Sequence, residues 1–294
     1  MQASVRYRRW AVGFLVYTVF VILWGALVRA TLSGDGCGDH WPLCNGEVVP
    51  VAPAAETLIE LTHRITSGLA WIGALAFVLV AQRLEPGLQR VRRGARWVLF
   101  FMTTEALVGA GLVLFRMVAE NPDEARGYWA AAHLANTLLL LAASTLHVWY
   151  AYGGRRLTWT PRWMAVIAGW VLLGASGAIA ALGDTLFPVN SLAEGFAQDL
   201  SPSSHVFLRL RTFHPLIAIA VTAGTLFAGA KAIRGDTKNL ALLVGALLIA
   251  QVGLGFLNVT LLAPIWLQLV HLALADTLWI ALIWLAARDQ SRTS

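Results

Sequence analysis

Long apolar stretches punctuated by short basic or acidic loops dominate this chain. Eight of them, at approximately 10–30, 57–82, 96–118, 128–152, 162–182, 208–232, 239–261 and 266–287, are long enough to cross a bilayer. A spanning helix needs about 20 apolar residues. Backbone amides and carbonyls cannot be left unpaired in hydrocarbon, so each stretch is expected to be a helix. The first follows Arg6, Arg8 and Arg9 and resembles a signal peptide. Its length, and the lack of a small-residue cleavage motif after it, mark it as an uncleaved span.

Composition agrees with this pattern. Of 294 residues, 58% are hydrophobic and 13% are charged. A soluble domain carries about 25% charged residues, so lipid is the expected solvent. Thirteen Trp residues suit the membrane–water interface. The net charge of +6 does not indicate nucleic-acid binding, because the basic residues lie in short loops and form no single polar face.

The loops give an orientation. Arg6, Arg8, Arg9, Arg83, Arg90, Arg92, Arg93, Arg96, Arg155, Arg156, Arg162, Lys231, Arg234, Lys238, Arg288 and Arg292 collect on one side, which is most of the 22 basic residues. The positive-inside rule makes that side cytoplasmic and puts both termini there. The acidic loops, with Asp35, Asp39, Glu47, Asp123, Glu124, Glu194 and Asp199, then lie outside. So do the only two cysteines, Cys37 and Cys44. An oxidising exterior permits a disulfide between them, with two free thiols as the alternative.

The chain repeats itself. "AAHLANTLLLLA" at 131–142 resembles "LVHLALADTLWI" at 269–280, and "EALVGAGLVL" at 105–114 resembles "AQVGLGFLNV" at 250–259. Glu60-x-x-His63 has a counterpart in Arg211-x-x-His214. With four spans in each half, residues 1–157 and 158–294 are expected to be two four-helix bundles related by an axis along the membrane normal. The fold class is therefore an all-α membrane protein of eight transmembrane helices.

His63, His133, His214 and His271 each stand near the outer end of an even-numbered span. Ionisable groups at membrane depth are costly and mark function. Imidazoles on facing helices are suitable axial ligands for haem iron, and two per half give two sites. A copper or zinc centre would want a third strong ligand, and only Glu60 offers itself. The alternative for any single histidine is an interhelical hydrogen bond. His40, His147 and His205 are read as structural or solvated.

Glu60 shares a helix face with His63. It could orient the ring or move protons, or simply stabilise the helix N-terminus. Arg211 takes its place in the second half, where it could pair with a haem propionate. Arg29, Arg64 and Arg209 lie at the same outer level, where lipid phosphate is the competing partner.

The sequence is similar to the haem A synthases of bacteria and mitochondria over nearly its whole length. The resemblance is carried by "GALVRATLSGDGCGDHWPLCNG" at 25–46, "ETLIELTHR" at 56–64, "AAHLAN" at 131–136, "RTFHPLIA" at 211–218 and "VHLALADTLW" at 270–279. The Cys-x6-Cys loop resembles the short bacterial type, although Asp35 and His40 depart from the pattern. The resemblance implies oxidation of a ring methyl of haem O to the formyl of haem A, through an alcohol, for haem-copper oxidases. His63 and His133 would flank the substrate site, with Glu60 as the catalytic carboxylate. His214 and His271 would ligate a resident haem b, Arg211, Arg29 and Arg64 would serve bound cofactor, and Cys37 would pair with Cys44. The implied partners are haem O synthase (protohaem farnesyltransferase), an electron-transfer protein and the bacterial plasma membrane. A homo-oligomer is compatible with this reading. A b-type cytochrome or a haem carrier would use the same histidines.

Overall fold

The computed structural model describes residues 2–84 and 86–291, without the side chain of Pro86. Arg292, counted among the basic residues of the inner side, lies outside the described residues. The described chain is almost entirely helical. Its helices are α1 (Val5–Ala30), α2 (Ala55–Gln82), α3 (Gln89–Leu114), α4 (Glu124–Ala151), α5 (Pro161–Leu186), α6 (Leu192–Leu200), α7 (Val206–Arg211), α8 (Phe213–Ala232), α9 (Lys238–Thr260) and α10 (Ile265–Gln290). Counting α7 and α8 together, eight helices are long and apolar enough to span a membrane.

Several spans are longer than hydropathy alone indicates. α1 begins at Val5 and α3 at Gln89, so that Arg6, Arg8, Arg9, Arg92 and Arg93 ride on helix instead of loop. Long basic side chains can do this, because their stems lie along apolar surface while the charge reaches water. The sixth span is interrupted between Arg211 and Phe213. Pro215 explains the break, since it has no N–H to donate to the carbonyl of Arg211.

α6 lies in what hydropathy presents as the third outer loop. Ser191 caps it by accepting from the Glu194 amide at 3.2 Å, and the Glu194 carboxylate accepts from the Asn190 amide at 2.9 Å. The spacing Ser191-x-x-Glu194 is a helix-start signature, so this element was visible in the sequence.

The core is held by α1, α4, α5 and α10. Trp163, Leu140, Leu141, Leu278, Trp279, Leu282 and Ile283 are fully buried there. Trp279 of α10 donates its indole N–H to the Leu138 carbonyl of α4 at 2.8 Å, which ties the two halves together. Outward-facing positions such as Ile219, Ile249 and Phe256 are large, apolar and exposed, as lipid-facing residues must be.

α3 and α9 end alike. Arg116 and Leu262 adopt left-handed backbone (φ 55° and 59°), and the Met117 and Ala263 amides turn back to the Leu112 and Asn258 carbonyls at 2.8 and 2.7 Å. This is the Schellman arrangement, normally built with glycine.

Candidate imidazole sites near the disulfide end of the bundle

Cys37 and Cys44 form a disulfide. The loop it closes sits over the N-terminal part of α2 and marks one end of the bundle. α2, α4, α7–α8 and α10 all start at that end, and His63, His133, His214 and His271 stand within roughly their first three turns.

Each of these four rings leans on a glycine of the preceding long helix. A Cβ added at Gly25 of α1 would lie 2.8 Å from Cε1 of His63, and one at Gly177 of α5 would lie 3.0 Å from Cε1 of His214. At Gly255 of α9 the distance to His271 is 3.2 Å, and at Gly109 of α3 the distance to His133 is 3.7 Å. At Gly25, Gly177 and Gly255 an imidazole fills the space a Cβ would need, whereas Gly109 leaves room for one. His63 and His133 belong to the first four spans, and His214 and His271 to the last four.

The unpaired ring nitrogens point to a functional site. Nδ1 of His63, His133 and His271 is buried without a hydrogen-bond partner. A buried polar atom left unpaired costs about 1–3 kcal/mol, a cost that native proteins accept at functional sites. His214 differs, with Nδ1 3.0 Å from the Ser176 hydroxyl. Two half-buried imidazoles per half, seated on small residues, are donors of the type that haem iron takes.

The surroundings of the pairs differ. Glu60 is 3% exposed. Its carboxylate accepts the Cys37 amide at 2.8 Å and the Arg64 guanidinium at 3.0 and 2.5 Å. Arg64 also donates to the carbonyls of Gly38, His40 and Leu43. Its two terminal nitrogens thus hold the disulfide loop against α2, while Nε is spent on Glu60.

In the second half the charges are inverted. Arg211 donates to Asp184 at 2.9 Å and to Asp199 at 2.6 Å. Arg29 leaves its own half: it donates to the Ala181 carbonyl at 2.8 Å, the Thr185 hydroxyl at 2.5 Å and the Gln268 side chain at 2.8 Å. Gln268 precedes His271 by one turn, so Arg29 belongs spatially to the second pair. Arg209 is exposed.

Several functional candidates escaped the sequence reading. Glu105 of α3 accepts from Asn136 at 2.5 Å and from the Thr137 hydroxyl, and its Oε1 lies 3.4 Å from Nδ1 of His133. Gln251 of α9 lies 3.2 Å from Nε2 of His271. Aligning 105–114 with 250–259 sets Glu105 against Ala250. The contacts correct this register by one residue, so that Glu105 corresponds to Gln251 and Gly109 to Gly255. The signal was the i, i+4 spacing of each polar residue and its glycine.

The other histidines are apart from these pairs. His147 is buried with Nε2 3.1 Å from the Tyr7 hydroxyl. His205 caps α7 between Phe187 and Phe207, and His40 is exposed.

Comparison with known proteins agrees with this arrangement. A Thermus thermophilus protein named protoheme IX farnesyltransferase is 47% identical over 266 residues, which are 86% of this chain and 43% of that protein. Heme A synthases of Halalkalibacterium halodurans and Alkalihalophilus pseudofirmus are 46% and 42% identical over 99 residues, a third of each chain. The chain spans less than half the length of these curated relatives. The model of the COX15-CtaA family, described as cytochrome oxidase assembly protein, matches residues 8–283. Its reach across all eight spans and all four imidazoles makes this chain a member of that family.

Proposed function

We propose that this chain is a haem A synthase, which oxidises the ring methyl of haem O to a formyl group through a hydroxymethyl stage. The observation that carries the reading is the pair of imidazole pairs, each ring seated against a glycine on the neighbouring helix. His63 and His133 hold the substrate in the first half. His214 and His271 hold a resident haem b in the second, which when bound supplies one-electron redox chemistry. Residues 1–157 and 158–294 form the corresponding halves.

The protein's own groups do the positioning. Glu60, buried beneath the disulfide loop, is the carboxylate available to hold or move a proton near His63. Arg64 and the Cys37 amide keep it in place. Arg29 and Arg211 supply cationic charge beside the second pair, at the level where haem propionates would lie. The positive-inside rule places both termini in the cytoplasm of a bacterial cell and the disulfide outside. Haem O arrives from its synthase within the membrane.

The Thermus relative is named for farnesyl transfer. Prenyl pyrophosphates are commonly handled with magnesium, which prefers oxygen ligands, whereas imidazole pairs suit iron. The test is expression in cells that make haem O, followed by chromatography of extracted haems. The wild-type chain should yield the alcohol and the aldehyde, and His63→Ala should yield neither. Farnesylated product from unmodified protohaem, or haem O recovered unchanged, would defeat the reading.

A further inference from the structure

The two halves place different polar groups beside matching imidazoles. Glu105 of α3 lies beside Nδ1 of His133 of α4, whereas Gln251 of α9 lies beside the other ring nitrogen, Nε2, of His271 of α10. Each stands four residues before the glycine that its histidine touches. Both oxygens of Glu105 are engaged: Asn136 donates to one, while Thr137 donates to the other, which also faces Nδ1 of His133 at 3.4 Å. Asn136 is itself fixed, since it donates to the Phe101 carbonyl at 3.0 Å and accepts from Thr104 at 2.7 Å. This network immobilises a carboxylate against one edge of the ring. Nδ1 of His133 is buried and makes no hydrogen bond as it stands, with the Glu105 carboxylate 3.4 Å away.

We propose that Glu105 is the positioning residue of His133. It accepts the Nδ1 proton, leaves the Nε2 lone pair as the ligating atom, and makes this ring a stronger electron donor than His271. A carboxylate behind a ligating imidazole fixes its tautomer and raises its basicity. A neutral amide such as Gln251 cannot do so to the same degree. The placement of the carboxylate beside Nδ1 is independent of what binds; its consequence for iron rests on the haem reading above.

Two measurements separate those parts. In the full chain purified without porphyrin and labelled with 15N-histidine, His133 should carry its proton on Nδ1. Glu105→Ala should mix the two tautomers. A proton on Nε2 in the wild-type chain would overturn the proposal whatever the chain binds. In the haem-loaded chain, Glu105→Gln should raise the midpoint potential of the first-half site and leave the second unchanged. The expected shift is about tenfold in the ratio of reduced to oxidised iron, or roughly 59 mV for one electron. Unchanged potentials with full haem content would overturn the electronic role. Should Glu105→Gln lose the first-half haem, Glu105→Asp is the second variant: regained haem at near wild-type potential supports the proposal, and loss of haem with wild-type tautomer overturns it. An Nδ1 proton on His133 in a chain that takes no porphyrin would uphold the contact and defeat the haem reading.

Discussion

Around His63 the helix carries both the carboxylate and its arginine, and the loop adds one amide; around His214 the span carries the arginine and its neighbours carry the carboxylates. Glu60 meets Arg64 and the Cys37 amide, whereas Arg211 meets Asp184 and Asp199. Both arrangements pair buried charges, and both stand one turn from a histidine leaning on glycine. The difference teaches that the imidazole seats form the common frame, while the polarity beside them is free to reverse. A negative group beside a reacting carbon can take a proton, and a cation beside a porphyrin edge can hold carboxylates in place.

The most damaging way to break the comparison is to remove a ligand on one side only. His271→Ala should weaken porphyrin binding in the second half by about a hundredfold or more, and the first half should keep its own. Visible spectra of the reduced, purified chain decide this. Simultaneous loss of both pigments would mean that the two sites are not separate.

Arg211→Met comes next. It strands two carboxylates with low exposure, and breaking a buried ion pair costs about 3–5 kcal/mol. The lower end is expected because the Asp184 side chain is 26% exposed. Thermal unfolding in detergent measures it. Replacing Cys37 and Cys44 together with Ser should cost less, about 2–3 kcal/mol for so short a loop. Its functional effect should be confined to the first half, because the loop holds Glu60 through the Cys37 amide.

The glycine seats grade a smaller effect. Gly25→Ala should displace His63 at a cost of about 1–3 kcal/mol, while Gly109→Ala, where the added carbon meets His133 only at 3.7 Å, should be tolerated. Porphyrin content of the two variants, compared with wild type, checks the order. Equal retention would show that the rings are not held by these contacts.

The smallest effect concerns acid. Arg116 hydrogen-bonds Asp39 at 2.7 Å and, with its charge, holds that carboxyl below the usual carboxylate range. A lowered value in the folded state means a contribution present above the ordinary carboxylate pKa, about 3.9, and lost as pH falls through the depressed value. Arg116→Gln should therefore lose this slight contribution at neutral pH, leave stability below the depressed value unchanged, and flatten the decline between them. Both groups are exposed, so a large effect in an acid titration would contradict this account.

Much of this organisation was legible in the residues. Spans read well because hydrocarbon demands long unbroken apolar helices, and the four histidines stood out because such groups are rare at that depth. The ends of α1 and α3 were less visible, since arginines that ride on helix look like loop. Glu105 and Gln251 were hidden for another reason. Each is a single polar residue in an apolar span, and its meaning depends on a ring supplied by the next helix. The seats were hidden too, because a glycine in a span is read first as a packing residue. The register between halves slipped by one, as local similarity of small residues allowed, until the contacts fixed it.

Arg29 begins in the first half and finishes among Ala181, Thr185 and Gln268 of the second. Chains cut between α4 and α5 and produced as separate polypeptides would therefore not be self-sufficient: the fragment with His214 and His271 would lack the guanidinium that joins Ala181 and Thr185 to Gln268 until its sister docked. Complementation from two genes should succeed only when both pieces insert side by side, and a tandem duplication of either fragment alone should not replace the natural chain.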